Sequence, residues 1–157
     1  MIALQVENSA KAVIIKDGQI LLVRYEDSSE MGLGTWFALP GGRQQAGETL
    51  HEALQRECVE EIGTKVKIGE LLFIREYVHA RHELAGRGRD QHKVEFMFAC
   101  GLEETAEETD SGDVDQASVE WISMEVLDDL NIFPRRLRQL QTLMTSEDAL
   151  VYWGDQY

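Results

Sequence analysis

Positive charge is scarce in this chain. Fifteen lysines and arginines face 29 aspartates and glutamates among 157 residues, for a formal net charge of -14. A domain that grips nucleic acid independently of sequence needs a basic surface, so that class is excluded. No sequence-specific nucleic-acid partner is expected either. A small anionic ligand stays open, because a local cluster of cations can override the net field. Cysteine is scarce too. Cys58 and Cys100 are too few for a disulfide framework and lack a zinc-ligand spacing. Both fall in apolar surroundings and read as small buried hydrophobes. No apolar run reaches the roughly 18 residues that a membrane-crossing helix needs, so no membrane partner is expected. The opening MIALQVENSAK lacks the basic-then-apolar order of a signal peptide. The expected location is cytoplasmic. Proline occurs at Pro40 and Pro134, and repeats and linkers are missing, so one domain over residues 1–157 is expected.

What is present alternates irregularly between strand and helix signals. AKAVII (10–15) and ILLVRY (20–25) read as strands joined by a turn at Asp17-Gly18. Residues 26–35 read as a loop, and residues 36–39 as a short strand broken by Pro40-Gly41-Gly42. Residues 65–78 carry strand signals, with Gly69 marking a bulge or bend in one long strand or dividing two short ones. Residues 79–91 form a basic loop, and VEFMFAC (94–100) is a strong strand. The acidic stretch 103–116 reads as a solvated loop. A strand is expected at 119–123, a short helix at 124–130 and a longer one at 134–145 opened by Pro134. Residues 150–153 read as a final strand or packing tail. The irregular order favours a mixed sheet flanked by helices, an α/β (α+β) class.

The most informative stretch is GRQQAGETLHEALQRECVEEIGT, residues 42–64. Thr49 and Glu52 make a capping box, and Gly63 is placed to end the helix. Leu50, Leu54, Cys58 and Ile62 recur every fourth residue as the inward face, flanked by Ala53 and Val59. Glu57, Glu60 and Glu61 stand at i, i+3 and i+4, on one face. Like charges at that spacing cost a few tenths of a kcal/mol each on an exposed helix. Such a cluster points to a divalent cation, and hard ions such as Mg2+ take carboxylates, waters and phosphate oxygens as ligands.

These residues fill the Nudix box, G-x5-E-x7-R-E-U-x-E-E-x-G-U with U a bulky aliphatic. The fixed positions here are Gly42, Glu48, Arg56, Glu57, Glu60, Glu61 and Gly63; Cys58 and Thr64 depart at the two aliphatic places. The chain thus resembles the Nudix family, and through WFALPGG and the preceding hairpin the resemblance extends over most of it. The resemblance implies an α/β/α sandwich with a mixed sheet and a loop-helix-loop box. It implies hydrolysis of a nucleoside diphosphate linked to another group X, aided by Mg2+ or Mn2+. It also implies residue roles. Glu57, Glu60, Glu61 and the Gly41 carbonyl look like metal ligands, with Glu60 or Glu61 orienting or deprotonating water. Arg56 looks like an ion-pair partner that orients the glutamates. Glu48 and Gly42 look like supports of the site.

Family members often place the catalytic base outside the box, and Glu95, interrupting VEFMFAC, is the leading candidate, ahead of Glu76 and Glu83. Arg24, Arg81, Arg87 and Arg89 are candidates for phosphate contacts, since arginine donors form a planar fork. Trp36, Phe37 and Tyr77 could stack on a base or pack in the core. The proline that ADP-ribose-type members carry some fifteen residues after the box is missing, which weakens that substrate. One alternative is a nucleoside triphosphate pyrophosphohydrolase. Another, of a different class, is a silent nucleotide-sensing domain, against which stands the full set of box carboxylates. A homodimer is left open.

Overall fold

The computed structural model describes residues 3–27, 32, 34–82, 85–103 and 118–157. Glu83 and all but the first residue of the acidic stretch 103–116 lie outside the described residues. In chain order the strands and helices are β1 (Val6–Lys16), β2 (Gln19–Asp27), β3 (Gly34–Ala38), β4 (Gly41–Arg43), α1 (Leu50–Ile62), β5 (Val66–Val78) and β6 (His92–Leu102). There follow β7 (Ser118–Ser123), β8 (Ile132–Phe133), α2 (Leu140–Thr145) and β9 (Tyr152–Asp155). The sheet order is β8-β3-β2-β1-β6-β5-β9, with β4 also on β1 and β7 also on β2. β1 runs parallel to β6, whereas β5 and β6 are antiparallel, so the sheet is mixed as expected.

β1 and β2 share two registered pairs, Ile15–Ile20 and Lys16–Gln19, at the hairpin. Beyond it the strands part into two leaves: β4-β1-β6-β5-β9 and β7-β2-β3-β8. Successive side chains of a strand point to opposite faces, and β1 uses this to serve two cores. Ala10, Ala12 and Ile14 pack with Leu54 and Cys58 of α1 and with Phe98. Val13 points the other way, into a core with Met97, Phe73, Leu127, Leu137, Leu140 and Trp153. Fully burying a leucine such as Leu54 stabilises by roughly 1.5–3 kcal/mol. Helical elements thus cover both faces of the sheet.

α1 has the expected ends. Thr49 accepts from the Glu52 amide while the Glu52 carboxylate accepts from the Thr49 amide, and Gly63 closes the helix in the left-handed region with φ 76°. Val59, expected beside the apolar face, is instead exposed. β5 is one long strand with a register shift between Ile68 and Leu71, where Gly69 predicted a bend.

Other elements differ from expectation. Gly41–Arg43, read as a break, pairs with Ser9–Lys11 as a three-residue strand. Residues 134–145 divide into a 3-10 turn, Arg135–Gln139, and the short α2. In a 3-10 turn i and i+3 eclipse, which lets Leu137 and Leu140 sink into one core. Met124–Asp129 is likewise a 3-10 turn rather than an α-helix.

Candidate active site

The site begins where β4 runs along the edge of β1. A side chain at Gly41 is forbidden twice: φ is 129°, and a Cβ would lie 2.1 Å from the Ala10 carbonyl oxygen. Gly42 is needed for a different reason. A Cβ there would meet the Glu57 carboxyl carbon at 2.4 Å, so the backbone of β4 is the surface against which that carboxylate lies.

Arg56 organises the box. Its Nε donates to Glu48 Oε1 at 2.6 Å and its Nη2 to Glu48 Oε2 at 3.0 Å, a two-pronged pairing. Nη1 donates to Glu57 Oε1 at 3.0 Å and approaches Glu60 Oε1 at 3.5 Å. Nη2 also donates to the Arg43 carbonyl. The hydrogen bonds from Arg56, with one from the Gln45 amide, hold the Glu48 carboxyl down at about 2. Glu48 foremost, and Glu57 after it, raise the Arg56 guanidinium above its usual value.

The structure separates the three helix carboxylates. Glu61 is buried and its Oε2 has no hydrogen-bond partner among the described residues. Burial pushes its carboxyl up to about 7, the Lys11 charge opposing this and Glu57 adding to it. Glu57 is mostly covered, whereas the Glu60 side chain is 54% exposed. Among the described residues no three His, Cys, Asp or Glu side chains form a closed cluster that could hold an ion. The donors that fit a hard divalent cation are the Glu57 carboxylate, the orphaned Glu61 oxygen and the Gly41 carbonyl, all oxygen. Lys11 Nζ donates to that carbonyl at 3.3 Å.

Lys11 also lines a cavity of about 390 Å³ on the face of β1, β6 and β5 away from α1. Strand register builds the floor as a grid. Ser9, Glu95 and Arg75 lie abreast, as do Glu7, Lys93 and Tyr77, and as do Lys11, Met97 and Phe73. Tyr25 and Trp36, stacked at 4.3 Å between centroids, form one wall with Phe133. His79, Arg89 and Tyr157 contribute to the others. Arg75 Nε donates to Glu95 Oε2 at 2.8 Å, its Nη1 to the Gln156 carbonyl at 2.5 Å, and its guanidinium lies over the Tyr77 ring. Burial would push the Glu95 carboxyl up, but the charges of Arg75 and Lys11 outweigh it and hold the group at about 2. A second, polar cavity borders the box and is lined by Glu7, Asn8, Arg43, Glu48 and Glu57.

The sequence candidates therefore divide. Gly41, Gly42, Glu48, Arg56, Glu57 and Glu61 come together, with Glu60 at the rim. Glu95 lies in the cavity. It is bound to an arginine and well ionised, which suits holding Arg75 rather than accepting a proton. Arg24 does not line the cavity; it is held by Glu26 at 2.8 Å and Glu120 at 3.4 Å, while its neighbour Tyr25 faces inward. Arg81 and Arg87 do not line it either, though the Arg87 carbonyl bonds His79 Nε2. Glu76 pairs with Tyr152 and His92. Phe37 belongs to the core, whereas Trp36 and Tyr77 line the cavity. Lys11, Arg75 and Lys93 were not singled out from sequence. Their signal was charge at strand positions in phase with buried neighbours.

Comparison with known proteins identifies the family and the fold. The sequence profile of the NUDIX domain matches residues 7–143. Nudix hydrolase 6 of Arabidopsis thaliana is 33% identical over 110 residues, 70% of this chain and 36% of that protein. The chain thus spans about a third of that relative's length. Nucleoside triphosphatase NudI of Escherichia coli O139:H28 is 28% identical over 136 residues, 84% of this chain and 94% of the relative. The solved mutator MutT protein from Bacillus halodurans superposes with a TM-score of 0.68 at 23% identity, covering 94% of this chain and 88% of that one. At that identity the likeness shows the fold.

Proposed function

From the premise that the chain belongs to the NUDIX family, we propose that it hydrolyses the pyrophosphate bond of a nucleoside diphosphate linked to another group, with a divalent cation. One observation carries this assignment. Glu57 and the buried Glu61, a helical turn apart, stand beside the Gly41–Gly42 backbone, and Lys11 links that edge to an aromatic, cation-lined cavity.

Bound Mg2+ or Mn2+ would polarise phosphoryl oxygens and neutralise charge on the leaving group. Glu57, Glu61 and the Gly41 carbonyl would hold it. The chain's own residues supply the rest. Arg56, fixed by Glu48, sets the position of Glu57. Glu61, whose Oε2 has no other partner among the described residues, would orient the attacking water beside that cation, whereas Glu95 is occupied by Arg75. Lys11, Arg75, Arg89 and Lys93 attract an anion into a chain of net charge -14. The Tyr25–Trp36 wall offers a flat apolar surface to a base.

A second assignment, cleavage of nucleoside triphosphates with release of pyrophosphate, is favoured by the near full-length similarity to NudI. A panel of both substrate classes with Mg2+ and with Mn2+ separates them by product. A nucleoside monophosphate plus a phosphorylated X supports the first, and pyrophosphate supports the second. Saturable binding without turnover of any member would overturn both in favour of a sensing domain.

A further inference from the structure

Each cation of the cavity but one has a protein partner among the described residues. Lys11 donates to Gly41, Arg75 to Glu95 and Gln156, and Arg89 to Glu7 at 2.9 Å. Among the described residues Lys93 has no hydrogen bond or ion pair. The two carboxylates that bear on it are already committed. Glu95 is taken by Arg75, and Glu7 by Arg89 and Arg43. The opposite ring across the β5–β6 ladder, Tyr77, gives its hydroxyl to His79 Nδ1 at 2.8 Å. Lys93 therefore stands on the cavity floor as a partly buried ammonium whose donors are left to solvent or to a ligand. A ligand oxygen that replaces that solvent forms a charge-assisted hydrogen bond without displacing a protein partner.

Charge and position indicate which ligand. Four cations and one carboxylate line this cavity. Lys93 is on β6, two strands from β4, and its partner on β1, Glu7, lies three to four residues from the partners of Gly42 and Gly41, so it is roughly 15 Å from the box edge at ordinary strand spacing and rise. A diphosphate and a lysine stem span that gap together. Resting on the hydrolase assignment above, we infer that Lys93 binds an oxygen of the substrate's diphosphate, at the phosphoryl group farther from the Glu57–Glu61 edge. Lys93 is thus a binding residue specific to the charge of the diphosphate and indifferent to the base.

Calorimetry with inorganic pyrophosphate, α,β-methylene-ADP and adenosine tests this without turnover. Lys93→Met should weaken pyrophosphate and methylene-ADP about 10- to 100-fold, the loss of one charge-assisted contact. Lys93→Arg should recover most of it, and adenosine should bind both variants as it binds wild type. Removing an uncompensated cation should leave the melting midpoint unchanged or higher, so the Met variant remains usable. In turnover of whichever substrate the panel identifies, the Met variant should raise KM far more than it lowers kcat. Wild type without saturable pyrophosphate binding, a Met variant that binds pyrophosphate normally, or equal weakening of adenosine would each overturn the inference. Lys93-dependent pyrophosphate binding in a protein that hydrolyses nothing would sink the hydrolase assignment and leave this inference standing.

Discussion

Gly42 leaves no room between itself and Glu57: a single methyl on the glycine would overlap the carboxyl group at 2.4 Å. The backbone of β4 is otherwise ordinary at that residue, which is not among the glycines with positive φ. Gly42→Ala should therefore displace Glu57 more than it strains the chain. A fall in turnover of at least about tenfold is expected, with a melting midpoint within a few degrees of wild type. Full activity would show that Glu57 need not lie where it does.

Glu57→Gln and Glu61→Gln should each lower turnover by about 100-fold or more while circular dichroism stays native. Glu60→Gln should do less, because that carboxylate is exposed at the rim. Equal rates for wild type and the first two variants would remove both from the site.

Burial raises Glu61 to about 7 from 4.5, so its neutral form is favoured in the folded state. For a raised pKa the stabilisation is complete below about pH 4.5 and is lost as pH rises through about 7. In chelator-treated protein the loss amounts to roughly 3 kcal/mol. Glu61→Gln should flatten that slope in melts between pH 4.5 and 8. Cation binding needs the ionised form, so Mn2+ affinity of wild type should climb with pH through the same window. A pH-independent affinity would exclude Glu61 as a ligand.

Glu95 is the opposite case. Its carboxyl is held at about 2, so the stability it contributes is present above about pH 4.5 and fades as pH falls toward 2. Glu95→Gln leaves Arg75 buried without its counter-charge, which costs about 3–5 kcal/mol. Near neutrality the melting midpoint should drop on the order of 10 °C, and the gap to wild type should narrow below pH 4.5. A group acting chiefly as a base would change the pH–rate profile and leave stability alone.

The box was legible because it is local. Its cap, apolar stripe and acidic positions all fall within residues 42–64 and obey one period. Even there, a shared helical face was too coarse. Glu60 and Glu61 are about 100° apart on a helix, enough to bury one and expose the other. The cavity was illegible for the converse reason. Lys11, Arg75 and Lys93 meet through the registers of three strands drawn from opposite parts of the chain, and no local period encodes them. Arg24 shows what parity could have supplied. Tyr25 faces the cavity, so its strand neighbour faces away.

β9 touches β5 through two registered pairs with a shift between them, yet the backbone just beyond it provides the Gln156 acceptor for Arg75. Trp153 anchors this strand in the core, and fraying is confined to the residues after it, where ladder bonds are few. Each fraying event would free one prong of Arg75 and remove the wall at Tyr157, while α1 and β4, which have no pairing with β9, stay folded. A ligand seated on Arg75 should be read as slowed amide exchange in the residues after Trp153 with no change in the helix.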